Sequence, residues 1–231
     1  MKLIKYAAAA LIALGSLSAN AGLISVVDSG SAQYAADVPA YSNNNFTTPG
    51  YITPGSYTIA GSLKANANLL VTYYFLGQES TWNNLFSVPG DAESALSKSN
   101  KGTITTTVAK DSLFDFLFTS NIPATSVNPA NTISVSNAEG AVQSVINGRF
   151  YSFAAALNAT FTGQGPNANA SHAGFYDAIL FLDDTGPNAA DDDNHDDLII
   201  GVRVTAVPEP TTLLLMSMGL LGLFGARRLK S

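Results

Sequence analysis

The sequence predicts an all-β body, an antiparallel β-sandwich of jelly-roll or immunoglobulin-like type, set between an N-terminal signal peptide at residues 1–21 and a C-terminal transmembrane helix at residues 211–226. Three observations carry this reading. From residue 56 to residue 205 the chain is a series of short apolar runs, rich in β-branched and aromatic residues and bounded by Gly, Pro, Asn and Ser. Several of these runs recur at roughly 8–12 residues, the interval expected of two packed antiparallel sheets. No long stretch repeats its apolar residues at helical spacing, and residues 138–147 are the one candidate for a short helix in the body.

Taken in order, residues 1–21 have a basic start (Lys2, Lys5), an apolar centre and Ala19-Asn20-Ala21, which fits the small-x-small cleavage pattern of a secretory leader. The body then spans residues 22–206, enough chain for one hydrophobic core. Residues 22–28 suit an edge strand, and residues 29–54, rich in Ser, Asn, Pro and Tyr, read as loop. Strands are predicted at 57–63, 69–76, 102–108, 113–119, 132–136, 149–161, 175–182 and 198–205. Residues 178–182 and 198–202 flank an acidic stretch and are predicted to pair as a hairpin with an unusually long connection. Pro208 and Pro210 cannot extend a ladder, so the last strand must stop near Val207.

Charge and composition exclude several classes of function. Between Gly22 and Val207 six basic residues face sixteen acidic ones, a balance of −10 against −6 for the whole chain, which repels nucleic acid and anionic headgroups. The absence of cysteine excludes disulfides, thiolate metal sites and a cysteine nucleophile. There are two histidines, His172 and His195, both expected at the surface. No Gly-x-Ser-x-Gly elbow, His-Glu-x-x-His helix or phosphate-binding glycine loop is present, so the body is read as non-catalytic.

The most informative chemistry lies in residues 183–197, where seven carboxylates fall in fifteen positions. Either such a loop is solvated and serves solubility, or a cation neutralises it, and oxygen ligands without thiolates select Ca²⁺. Asp192, Asn194 and Asp196 have the first three spacings of a calcium loop, with Asp183, Asp184 and Asp197 available to complete the shell. The glutamate position of an EF-hand is Arg203, so the candidate is a hairpin-loop site that borrows from the incoming strand end. Trp82 or Tyr176, if exposed beside this loop, would favour a Ca²⁺-dependent carbohydrate-binding module over a structural protein.

Residues 211–226 carry no charge and as a helix would reach about 24 Å, short but usable against about 30 Å of hydrocarbon. Arg227, Arg228 and Lys230 would stay on the cytoplasmic side. One reading is an ordinary single-pass anchor. The layout also resembles the PEP-CTERM sorting signal of exported bacterial proteins, with Pro208, Glu209 and Pro210 as the motif, residues 211–226 as the helix and Arg227 and Arg228 as the basic end. Residues 73–80, 83–86 and 192–197 resemble stretches of other proteins that carry this signal. The resemblance implies recognition in the inner membrane by an exosortase, a transpeptidase-like membrane enzyme, followed by removal of the tail and release towards extracellular polysaccharide. The expected role is a structural component of an exopolysaccharide or biofilm matrix. The alternatives are a Ca²⁺-dependent carbohydrate-binding or adhesive module and, more remotely, a secreted hydrolase.

Overall fold

The computed structural model describes residues 22–28, 52–53, 56–59, 61–80, 83–90, 95–121, 132–137, 143–146, 149–165, 167–183, 197–208 and 215–221. The strands are β1 (Ile24–Asp28), β2 (Ile52–Thr53), β3 (Ser56–Ile59), β4 (Gly61–Ala65), β5 (Leu69–Gly77), β6 (Asn83–Ser87), β7 (Thr103–Val108), β8 (Leu117–Asn121), β9 (Thr132–Ser136), β10 (Gln143–Ile146), β11 (Arg149–Phe161), β12 (Gly174–Asp183) and β13 (Leu198–Ala206). All their pairings are antiparallel. An eight-stranded sheet runs β10-β11-β12-β13-β5-β7, with β2 and β3 also on β11; β6-β8-β9 and β1-β4 form smaller sheets. The predicted signal peptide lies outside the described residues.

Alternation decides which side chains are buried. In β5, Leu69, Val71, Tyr73 and Phe75 point into the main core together with Phe153, Leu180, Ile200 and Val202 from neighbouring strands. Against them pack Phe86, Phe118 and Val135 of the three-stranded sheet and Ile24, Leu63 and Ala65 of the β1–β4 pair. Rings of Tyr73, Phe86, Phe116, Phe118 and Phe153 meet at the centre, Tyr73 and Phe86 with centroids 4.8 Å apart and Phe116 and Phe153 edge-on at 5.3 Å. A second cluster, including Leu76, Ala156, Phe161, Tyr176, Ile179, Phe181 and Ile199, covers part of the opposite face of the large sheet. A bulge between β5 and β13 helps make it: Ile199 pairs with Gly77 and Ile200 with Phe75, so Leu76 is the extra residue.

The antiparallel all-β expectation holds, with four local corrections. The strand expected at 57–63 is two strands, β3 on β11 and β4 on β1. In the run 113–119 the alternation does bury Phe114, Phe116 and Phe118, but the ladder starts at Leu117 because the residues before it bond to β4 instead. The helix expected at 138–147 is contradicted at Gln143–Ile146, which is β10 paired with the start of β11. Asn147-Gly148 separates Ile146 from its partner Arg149, the dipeptide that most favours a two-residue hairpin, and Val145 and Ile146 are β-branched. Ile52–Thr53, inside the expected loop at 29–54, is a strand on β11.

Where the small sheets meet, a side chain replaces a strand. Asn137 is buried; its Oδ1 accepts the Leu63 N–H at 2.7 Å, and its Nδ2 donates to the carbonyls of Leu63 at 2.8 Å and Phe114 at 2.9 Å. Tyr73 is the converse case. Its hydroxyl is buried without a hydrogen-bond partner among the described residues, and burial, aided by the charge of Asp115, holds the phenol well above its ordinary range.

Two outcomes follow for urea denaturation. Asn137→Ala strands the Leu63 N–H and the Phe114 carbonyl in the core and should cost about 2–5 kcal/mol. Tyr73→Phe removes a hydroxyl that bonds no described residue and should leave stability unchanged or raise it by up to about 1 kcal/mol; a loss of that size would show that the hydroxyl has a partner.

Candidate functional site

The hairpin that carries the acidic stretch is built as its flanks require. β12 and β13 pair from Ala178 with Val202 to Leu182 with Leu198, and the Asp197 N–H donates to the Leu182 carbonyl at 3.1 Å. Asp183 and Asp197 are thereby set on adjacent chain ends at the hairpin's base. Asp183 also pairs with Ser152 of β11, and the Asp197 carbonyl accepts Asn84 Nδ2 from β6 at 3.2 Å, which ties the hairpin to the three-stranded sheet. Asp184, Asp192, Asn194, Asp196 and His195 lie outside the described residues, as does the side chain of Asp183. Among the described residues no group of three or more His, Asp or Glu is placed to hold a metal ion. An EF-hand register is ruled out, because its last six positions, from Leu198 to Arg203, belong to β13.

At the other end of the same strands stands a cluster that the sequence did not announce. Residues 162–173 cross the outer face of the large sheet, with positive φ at Gly163 (79°), Gly165 (119°) and Asn167 (49°). The carbonyls at the end of β5 receive this connection. Asn169 N–H donates to Leu76 at 2.7 Å, Asn167 Nδ2 donates to Gln78 at 2.8 Å, and His172 Nδ1 lies 3.0 Å from the Phe75 oxygen. His172 is therefore half-buried in a contact with the sheet rather than a plain surface residue.

Tyr176 closes the arrangement. Its hydroxyl donates to the His172 carbonyl at 2.6 Å, and the Arg203 guanidinium lies 4.5 Å from its ring centroid and 5.2 Å from that of Tyr74. Burial raises the Tyr176 phenol above its ordinary range, with Arg203 pulling the other way. β12 leaves the ladder here: Val204 N–H donates not to a backbone carbonyl but to Asp177 Oδ2 at 2.8 Å, and Arg203 Nε donates to the Phe175 carbonyl at 3.1 Å. The group works as a cation–π clamp that holds the connection on the sheet. Tyr176 is thus a buried residue seven positions from Asp183, about 24 Å along the strand, and not an exposed aromatic beside the acidic loop. Trp82 lies outside the described residues. A run of Gly and Asn from 163 to 174 was the available signal for the clamp, since left-handed backbone marks a connection that folds back on the body.

β13 ends at Ala206, the Val207 N–H makes a final rung to the Asn68 carbonyl at 2.7 Å, and exposed Pro208 has no N–H with which to continue. Residues 215–221, inside the expected tail helix, are helical with Leu215, Met216, Met218, Leu220 and Leu221 all exposed. No helix among the described residues is long and apolar enough to cross a membrane. Glu209, Pro210, Arg227 and Arg228 lie outside them. Residues 206–228 match the profile of the PEP-CTERM protein-sorting motif. The chain carries a PEP-CTERM sorting signal. The signal covers about a tenth of the sequence and supports an exported, exosortase-processed protein with a cell-surface or extracellular destination. No curated protein and no solved structure matches the chain.

A Cβ at Gly201 would fall 2.5 Å from Tyr176 Cε1 and 2.6 Å from Cδ1. Gly201→Ala should therefore push the ring aside and cost about 1–3 kcal/mol; an unchanged urea midpoint would mean that the clamp yields freely. Because the folded Tyr176 pKa lies above the unfolded one, the corresponding stability is complete below about pH 10 and is lost as the pH rises through the folded value. Tyr176→Phe should remove that part of the alkaline instability.

Proposed function

We propose that this protein is a structural component of the extracellular polysaccharide matrix, exported through the inner membrane and freed from its PEP-CTERM tail by an exosortase. The sorting signal at residues 206–228 carries the reading. The exit geometry supports it: the last rung of the body is at Val207, the next residue is a proline, and in the described part of the apolar segment beyond, Leu215, Met216, Met218, Leu220 and Leu221 are exposed. The acidic body suits a hydrated, charged surroundings and gives no reason to bind nucleic acid.

A second reading, a Ca²⁺-dependent carbohydrate-binding or adhesive module, is favoured by one observation. The β12–β13 pairing sets the backbones of Asp183 and Asp197 on adjacent chain ends, with the other candidate ligands between them in sequence. A secreted hydrolase has no comparable motif behind it.

In a host with an exosortase, the chain should accumulate in a shortened form recovered with the extracellular polysaccharide. A Pro208→Ala/Glu209→Ala/Pro210→Ala variant should stay full-length in the membrane fraction on an immunoblot. Equal processing of both would remove the exosortase assignment, and a shortened form free in polysaccharide-depleted medium would remove the matrix role. For the second reading, Ca²⁺ at a hundred times its Kd should stabilise the protein by about 2.7 kcal/mol over EDTA. Asp192→Ala/Asp196→Ala should abolish the gain; no gain in the parent protein sinks the site.

A further inference from the structure

We propose that β7 is a self-association edge, through which two copies of this chain pair antiparallel about Thr106 and join their large sheets into one. The large sheet ends at β7, whose one partner among the described residues is β5. Hydrogen-bonded pairs alternate along an antiparallel ladder, so the outward backbone of β7 can be assigned. Val207 bonds to Asn68, hence Leu70, Thr72 and Tyr74 of β5 face β13, and Leu69, Val71 and Tyr73 face β7. Their partners Val108, Thr106 and Ile104 use their N–H and C=O on β5. Thr103, Thr105 and Thr107 therefore direct theirs away from the sheet, where no described residue meets them.

Sheet edges of this kind are normally blunted by a charge, a proline or a bulge, and Thr103–Val108 contains none of these. The other terminal edge of the same sheet is divided among β2, β3 and β10, of 2 to 4 residues each. What selects a second copy as the occupant is self-complementarity. With Thr106 opposite the partner's Thr106, core-facing Ile104 meets the partner's Val108, exposed Thr105 meets the partner's exposed Thr107, and the outward N–H and C=O groups of Thr105 and Thr107 fall in hydrogen-bonded pairs. A slip of one residue would turn Ile104 towards the partner's threonine face, so burial specifies the register.

The chain has no cysteine, which makes single-cysteine cross-linking clean. Thr106 sits on the two-fold in a non-hydrogen-bonded pair, where Cα atoms about 4.5 Å apart permit a disulfide. The full chain in detergent, oxidised at micromolar concentration with glutathione disulfide, would be compared for Thr103→Cys, Thr105→Cys, Thr106→Cys and Thr107→Cys. Paired thiols see a millimolar effective concentration, so Thr106→Cys should give roughly a hundredfold more dimer than Thr103→Cys. Adding Thr105→Pro, which removes an outward N–H and no intramolecular one, should return Thr106→Cys to the Thr103→Cys level while leaving the thermal unfolding midpoint within a few degrees. A maximum at any position other than 106, uniform cross-linking or none would overturn the proposal, as would a Thr105→Pro chain that still folds and still cross-links.

Discussion

The amide of Asn137 sits where β4, the stretch before β8 and the end of β9 converge with more backbone groups than their ladders can pair. A buried donor or acceptor left without a partner costs as much as several good contacts return, so sheets can close over a common core only if such corners are satisfied. One carboxamide supplies an acceptor and two donors in the plane of a peptide, and here all three are used. The Phe114 N–H completes the corner by donating to the Leu63 carbonyl at 3.0 Å. The aromatic centre of the core depends on this, because Phe114, Phe116 and Phe118 are presented inward by a segment whose first half has no ladder of its own.

Side-chain groups take the place of backbone at three other points. Asp177 receives the Val204 N–H where β12 departs from β13, Asn167 reaches the Gln78 carbonyl, and buried Gln78 accepts the Lys98 N–H at 3.3 Å. Each lets a strand end or bend without leaving buried polar atoms bare. In the block from Tyr73 to Ser80, Tyr73 and Phe75 belong to the main core, Leu76 bulges into the second one, and the carbonyls from Phe75 to Gln78 hold the 162–173 connection. A stretch with obligations on both faces and along one edge has little freedom to change.

These substitutions also mark where the sequence was legible. The bounds predicted at 132–136 and 149–161 are those of β9 and β11, and the hairpin expected from 178–182 and 198–202 pairs as β12 and β13, because burial on a regular pleat writes itself into local alternation. β6 was not foreseen, since half of its inward pattern is Asn84, a polar residue that is buried because it bonds the Asp197 carbonyl. The clamp of Tyr74, Tyr176 and Arg203 joins β5 to the β12–β13 hairpin, and the Gly/Asn run before β12 marks the connection it holds but not the residues that hold it. At the acidic stretch, composition gave the candidate ligands and the flanks gave the hairpin, whereas ligand geometry depends on a loop that no periodicity constrains. The tail was legible in full as a motif, because a sorting signal is read by its order of residue types and not by a fold.

Both exits of the body are tied to the same three-residue connection between β4 and β5. Asn66 Nδ2 donates to the Gly22 carbonyl at 2.6 Å and its N–H to the Leu23 carbonyl at 2.9 Å, while Asn68 accepts the Val207 N–H on its carbonyl and the Lys110 N–H on its side chain. The predicted leader cleavage before Gly22 and the sorting signal from Ala206 therefore leave from one pole. A body tethered by either segment would meet a membrane with the same surface. β13 begins at the acidic hairpin and ends at this pole, which separates the two by about 27 Å of extended chain. That distance exceeds two Debye lengths at physiological ionic strength, roughly 8 Å each. Asp183 and Asp197, the two ends of the acidic stretch, are thus held by β12 and β13 at the end of the hairpin away from the exit at Val207.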